Sequence, residues 1–232
     1  MSWQLYTNTL AQLPSNTTIV PFFRGESMLH PQFVDAMKEL ERFNTVQLAT
    51  NGDKLNHANT AAILNTCSFI SLSAHSFVKS NTNWNTFLHL AKNEGITTQI
   101  SIVETLIPKG QKQQFINSWL KHADRVRIYV EHSHIGYGDT TLNLKDDGQP
   151  CSRPFTEIVS YWDGKVALCC QDWNNHIPLG NLNEQSLESV WTSQVYKDIR
   201  LKHQMGNRKT ISSCINCHQW TSSQVIGEIY EQ

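Results

Sequence analysis

Cysteine is the residue type in this chain whose spacing could do chemistry. Six cysteines stand in 232 residues, and five of them lie from Cys151 onward. Cys151, Cys169, Cys214 and Cys217 are placed so that they could form one four-thiolate metal site. In Cys214-x-x-Cys217, two intervening residues let both sulfurs face one centre from a tight turn. Thiolates are soft ligands that select iron–sulfur clusters, zinc or Cu(I). Asp163-Gly164, set between alternating apolar runs, signals a β-hairpin that would carry Cys169 back beside Cys151. Cys170 adjoins Cys169, and neighbours on a strand point opposite ways. Cys169 is therefore read as the ligand and Cys170 as its alternate. Cys67 opens an apolar run and reads as core.

Three readings compete for the set. Unliganded buried cysteines are common singly, but less so as a C-x-x-C with two partners across a hairpin. Structural zinc usually shows two close-spaced ligand pairs, and only one close pair exists here. An iron–sulfur cluster tolerates wide spacing. On spacing alone the cluster stands modestly ahead of zinc, and both remain open.

The elements that must position these residues change character along the chain. Strand-like runs at 17–23, 45–49, 67–73, 96–103 and 125–130 alternate with helix-like stretches at 31–43, 56–66, 84–93 and 111–122. Such alternation implies βαβ units and a parallel sheet. The expected fold class is α/β, a partial (β/α) barrel of about five parallel strands followed by a small Cys-rich domain with a β-hairpin. The expected division is a barrel segment at 1–135, a linker at 136–149 carrying Gly136, Gly138 and Gly148, and the cysteine domain at 150–232.

With 39% hydrophobic and 17% charged residues and a formal net charge of −1, the chain reads as globular, with no basic run for nucleic acid. No apolar stretch approaches a membrane span, and the first residues do not read as a secretory signal. The expected compartment is the reducing cytoplasm, where clustered cysteines more often bind metal than form disulfides.

Residues 151–220 resemble the SPASM/twitch auxiliary-cluster domain of radical S-adenosylmethionine (SAM) enzymes. The resemblance is carried by Cys151, Asp163-Gly164-Lys165-Val166 before Cys169-Cys170, Leu179-Gly180-Asn181-Leu182, Ser186 to Trp191, Tyr196 to Arg200, and Cys214-x-x-Cys217. It implies one auxiliary 4Fe–4S cluster on Cys151, Cys169, Cys214 and Cys217, and it moves iron–sulfur well ahead of zinc. Upstream, Phe23 to Pro31 is similar to that family's glycine–glutamate motif, Thr50-Asn51-Gly52 to the turn after its third strand, and Ser71-Leu72-Ser73 to the end of its fourth. The resemblance implies SAM contacts at Gly25, Glu26, Asn51 and Ser73. Beside it stand plainer readings: Glu26 as a helix cap, Asn51-Gly52 as a turn, and His75, Glu104, Glu131, His132 and His134 as loop residues after strand ends. Trp162, Trp173, Trp191 and Trp220 are expected to pack around the metal site.

The departure from the family is large. Its core cluster sits in a C-x-x-x-C-x-x-C loop after the first strand, and no cysteine precedes Cys67. Arg24 also stands where the family often has a second glycine. These departures count against SAM binding and against SAM cleavage by this chain alone. The expected protein is a fragment, split subunit or degenerate relative whose cluster serves electron transfer or structure. Its implied partners are a peptide or small-molecule substrate and a protein partner or electron donor. The alternatives are a non-catalytic iron–sulfur protein and a zinc-stapled binding protein.

Overall fold

Ser2 opens the first helix, α1 (Trp3–Ala11), its hydroxyl accepting from the Leu5 amide at 3.2 Å and so satisfying one of the orphan N–H groups of a helix start. The computed structural model describes residues 1–77, 82–129, 150–215, 217 and 227–231. From residue 18 the chain alternates strictly: β1 (Thr18–Ile19), α2 (Phe33–Leu40), β2 (Thr45–Thr50), α3 (His57–Thr66), β3 (Phe69–Ala74), α4 (Thr82–Asn93), β4 (Thr97–Val103), α5 (Lys112–Trp119) and β5 (Arg125–Tyr129). The helices form where apolar residues recur at helical spacing. Phe33, Met37 and Leu40 of α2 are all buried, one stripe of a 3.6-residue period.

The cysteine-bearing region is built of smaller pieces: α6 (Arg153–Thr156), β6 (Val159–Ser160), β7 (Val166–Ala167), α7 (Leu187–Trp191) and α8 (Gln194–Gln204). A last strand, β8 (Gly227–Glu231), joins the large sheet, whose order is β1-β2-β3-β4-β5-β8. β1 to β5 pair in parallel and β8 runs antiparallel to β5. The five parallel strands expected from the sequence are present; the antiparallel edge strand had no signal that the sequence reading used.

The chain divides into two compact units, one of Pro14–Glu131 with Ile226–Gln232, the other of Met1–Leu13 with His132–Val225. The sequence reading assigned residues 1–13 to the barrel segment, whereas here they group with the cysteine-bearing unit. The reason is apolar. Leu5 is buried in a cluster with Val166, Leu168, Leu179, Leu182, Val190, Tyr196, Ile199 and Ile211. The linker expected at 136–149 lies outside the described residues.

In the sheet unit, Ile70, Leu72 and Ala74 of β3 alternate with Ser71 and Ser73, as the period of a strand requires. Register carries the second set across the sheet, Ala49–Ser71–Gln99–Arg125 in one row and Ser73–Ser101–Arg127 in the next. One face of a buried parallel sheet, normally apolar on both sides, is therefore polar. Gln99 Nε2 donates to Ser71 Oγ at 3.0 Å, Ser71 Oγ donates to Ser101 Oγ at 3.3 Å, and Ser73 Oγ lies 3.4 Å from Ser101 Oγ.

Candidate metal centre

The hairpin forms as its turn residues demand. Gly164 adopts φ +89°, the region only glycine enters without strain, and Tyr161 N–H donates to Lys165 C=O at 2.8 Å. β6 and β7 pair antiparallel, Val159 with Ala167. The returning strand places Cys169 on the wall of a cavity that Cys151, Cys214 and Cys217 also line. Cys214 and Cys217 share a tight turn, with Cys217 N–H donating to Cys214 C=O at 3.3 Å.

Cys170 does not itself line the cavity; its sulfur accepts from Nη1 of Arg153, a residue of the cavity wall, at 3.0 Å. Cys67, at the end of α3, is 6% exposed, and burial pushes its thiol up to about 12. Its burial agrees with the core role read from the sequence.

The cavity wall also carries Arg153, Gln171, His203, Arg208 and Ser213, with Leu168 and Pro154 as its apolar part. The sequence reading missed all five polar residues. His203 had a usable signal, because Tyr196, Ile199 and His203 recur at three- and four-residue spacing and are the buried residues of α8. Arg208 is 3% exposed and follows no periodic pattern, so nothing local marks it.

His203 bridges two cysteines. Cys151 N–H donates to His203 Nδ1 at 3.3 Å, and His203 Nε2 lies 3.9 Å from Cys214 Sγ. Burial first, and then the Arg208 charge, pulls the imidazole down to about 4, so it is neutral near pH 7. Gln171 N–H donates to Cys169 Sγ at 3.4 Å. Burial pushes the Cys214 thiol up to about 12, with the neighbouring Cys217 and Cys151 adding to it. Burial likewise raises Cys169 and Cys151.

These observations test the fit of a metal group. Thiols held protonated by burial ionise readily only toward a cation that replaces the lost hydration. A buried guanidinium on the same wall adds positive charge beside the thiols. The four thiols line one cavity. The donor set fits an iron–sulfur cluster.

Of the tryptophans expected around this centre, Trp191 packs against the core of its unit. Trp162 does not, being 74% exposed, since it occupies the hairpin turn. Trp173 is 39% exposed, and Trp220 lies outside the described residues.

The sheet unit holds the residues that the resemblance implies as SAM contacts, in or after its strands β1, β2 and β3. Glu26 Oε1 accepts from the Met28 amide at 3.1 Å and the Thr50 hydroxyl at 2.9 Å, and Oε2 accepts from the Asn51 amide at 2.9 Å. Glu26 is thus both a cap for the turn of helix at Ser27–Leu29 and a clasp on the end of β2. Gly25 beside it has φ +81° and open space around it. Gly52 has φ +69°, and a Cβ there would collide with the Trp84 indole. Ser73 lies on β3 within the polar network and has no hydrogen bond to Glu26. His75 is exposed and Glu104 pairs with Lys112 at 3.4 Å. Glu131, His132 and His134 lie outside the described residues. No helix among those described is long and apolar enough to cross a membrane.

Residues 151–218 match the SPASM family, described as an iron-sulfur cluster-binding domain. The S-adenosyl-L-methionine-dependent 2-deoxy-scyllo-inosamine dehydrogenase of Niallia circulans is 24% identical over 132 residues, 52% of this chain and 53% of that protein. The matched region thus spans about half the length of that curated relative. Among solved structures, BtrN in complex with AdoMet and 2-DOIA superposes with a TM-score of 0.66 at 18% identity, covering 94% of this chain and 80% of that one. The anSMEcpe chain with bound AdoMet and the Cp18Cys peptide superposes at 0.62 and 12% identity, covering 97% and 84%. At such identities these likenesses concern the fold. Residues 151–218 match the SPASM iron–sulfur cluster-binding domain family, and the chain that carries them resembles the radical SAM/SPASM enzymes.

Proposed function

We propose that this chain holds one auxiliary-type 4Fe–4S cluster on Cys151, Cys169, Cys214 and Cys217, as part of a SAM-dependent radical system acting on a peptide or a small molecule. The observation that carries the reading is the placement of these four thiols on one cavity inside the segment that matches the SPASM domain. When bound, a cluster with four thiolate ligands keeps no open iron and so supplies electron transfer or a structural staple. The chain's own residues do the rest. Leu168 and Pro154 exclude water from one wall, Arg208 and Arg153 offset the negative charge of the thiolates, and the Gln171 amide donates to Cys169 Sγ.

The 232 residues hold no C-x-x-x-C-x-x-C triplet. In this reading, SAM cleavage needs core ligands from another segment or chain. Glu26 retains capacity for a SAM ammonium: Oε1 already accepts two hydrogen bonds, but Oε2 accepts one and keeps a lone pair. Gly25, with open space around it, leaves Glu26 approachable, and Asn51 and Ser73 complete the strand-end edge. A second reading, a non-catalytic iron–sulfur relative, draws on the same Glu26, whose three bonds within the chain give it a structural task that needs no ligand.

Iron, sulfide and zinc per chain, measured on protein purified without oxygen, test the proposal. About four irons and four sulfides with a broad brown absorption are expected. One zinc per colourless chain would overturn it in favour of a zinc-stapled binding protein. Equilibrium dialysis with SAM then separates the first reading from the second.

A further inference from the structure

Backbone N–H groups reach thiols of the cavity, the Gln171 amide on Cys169 and the Arg153 amide on Cys151. A further N–H group belongs to a side chain. His203 is 1% exposed, held there by the apolar stripe of α8. Its Nδ1 accepts the Cys151 amide hydrogen, so that nitrogen carries no proton. The ring's N–H therefore sits on Nε2, which is 3.9 Å from Cys214 Sγ, within reach of an N–H···S bond. The Cys151 amide thereby fixes both tautomer and ring orientation, the arrangement by which outer partners tune a metal ligand.

We propose that His203 is a positioning residue that donates its Nε2–H to the Cys214 sulfur and thereby raises the reduction potential of the group bound in the cavity. The inference rests on the cluster reading above. A hydrogen bond to a ligating sulfur draws negative charge off it. It strengthens when the cluster gains an electron and becomes more anionic, so the reduced form is favoured. Arg208 Nη1 is directed at the Cys217 carbonyl, at 3.5 Å.

The test compares wild type with His203→Leu and His203→Gln, purified without oxygen. Iron and sulfide content reads the cluster reading, and the midpoint potential from a redox titration followed by EPR reads the role of His203. Wild type and both variants are expected to load. The potential should move negative in His203→Leu and stay near wild type in His203→Gln, whose amide still offers a donor. An unchanged potential in a fully loaded His203→Leu would overturn the inference while leaving the cluster in place. A wild type without iron would overturn both. Should His203→Leu not load, pulsed EPR of the reduced wild-type cluster in H2O and D2O decides the point. An exchangeable proton coupled to the cluster and lost in His203→Gln or shifted there is expected, and no such proton in wild type overturns the inference.

Discussion

Gln12 Oε1 accepts a hydrogen bond from the Leu187 amide at 2.7 Å, joining residues 175 positions apart. Leu187 opens α7, where Ser186 already caps the Ser189 amide, so Gln12 satisfies a second orphan N–H of that helix start. With Leu5 in the core beneath, α1 is a working part of the cysteine-bearing unit. Leu5→Ala should destabilise that unit by about 2–4 kcal/mol, the cost of a buried leucine truncated to a cavity. Gln12→Ala should cost about 1 kcal/mol or less, because the bond is exposed. Chemical denaturation, followed by the loss of metal-site absorbance in the loaded protein, would show the ranking. Equal effects from the two substitutions would contradict it.

The cysteines should sort by the wall they line. Cys169→Ala, Cys214→Ala and Cys217→Ala each remove a thiol from the cavity and should abolish metal loading and expose residues 151–232 to protease. Cys170→Ala removes a sulfur turned toward Arg153 and should load normally, as should Cys67→Ala. Metal content per chain checks each variant. Loss of metal in Cys170→Ala with retention in Cys169→Ala would reverse the assignment.

Gly25 and Gly52 both hold left-handed backbone, but for different reasons. Gly25→Ala meets only the conformational penalty, about 1–2 kcal/mol, since nothing stands near its Cβ. Gly52→Ala meets that penalty and the Trp84 indole as well, and overpacking adds about 1–3 kcal/mol. Thermal unfolding of the two variants should therefore show Gly52→Ala the less stable.

Asp124 gives the sheet unit a component of acid sensitivity. Its carboxylate accepts from the Thr98 amide and hydroxyl, each at 2.7 Å, and pairs with Lys92 at 3.1 Å. Burial pushes its pKa up, but the Thr98 hydrogen bonds and Lys92 outweigh that and hold it below the ordinary 3.8. A depressed carboxylate stabilises the fold at pH above the unfolded value and loses that contribution as pH falls through the folded one. Hydrogen exchange in β4 and β5 should accelerate as pH falls below 3.8, after correction for intrinsic rates. In Asp124→Asn the same strands should be less protected at neutral pH and lack this acid step.

The sequence by itself determined the alternation of five strands with helices, because apolar periodicity is a local property that each segment carries whatever its neighbours do. It also determined the hairpin, since Asp163-Gly164 encodes its own turn, and the tight turn of Cys214-x-x-Cys217. What it left open depended on contacts between distant residues. The choice of Cys169 as the thiol facing the cavity, with Cys170 turned to Arg153, follows from where α6 places that guanidinium. The burial of His203 between Cys151 and Cys214 joins residues 52 and 11 positions apart, and Arg208 reaches the same wall without any periodic signal. The assignment of α1 rested on Leu5, whose partners lie beyond residue 160. An apolar residue in a short helix specifies that a face must be buried, but which core buries it is decided by the packing of the whole chain.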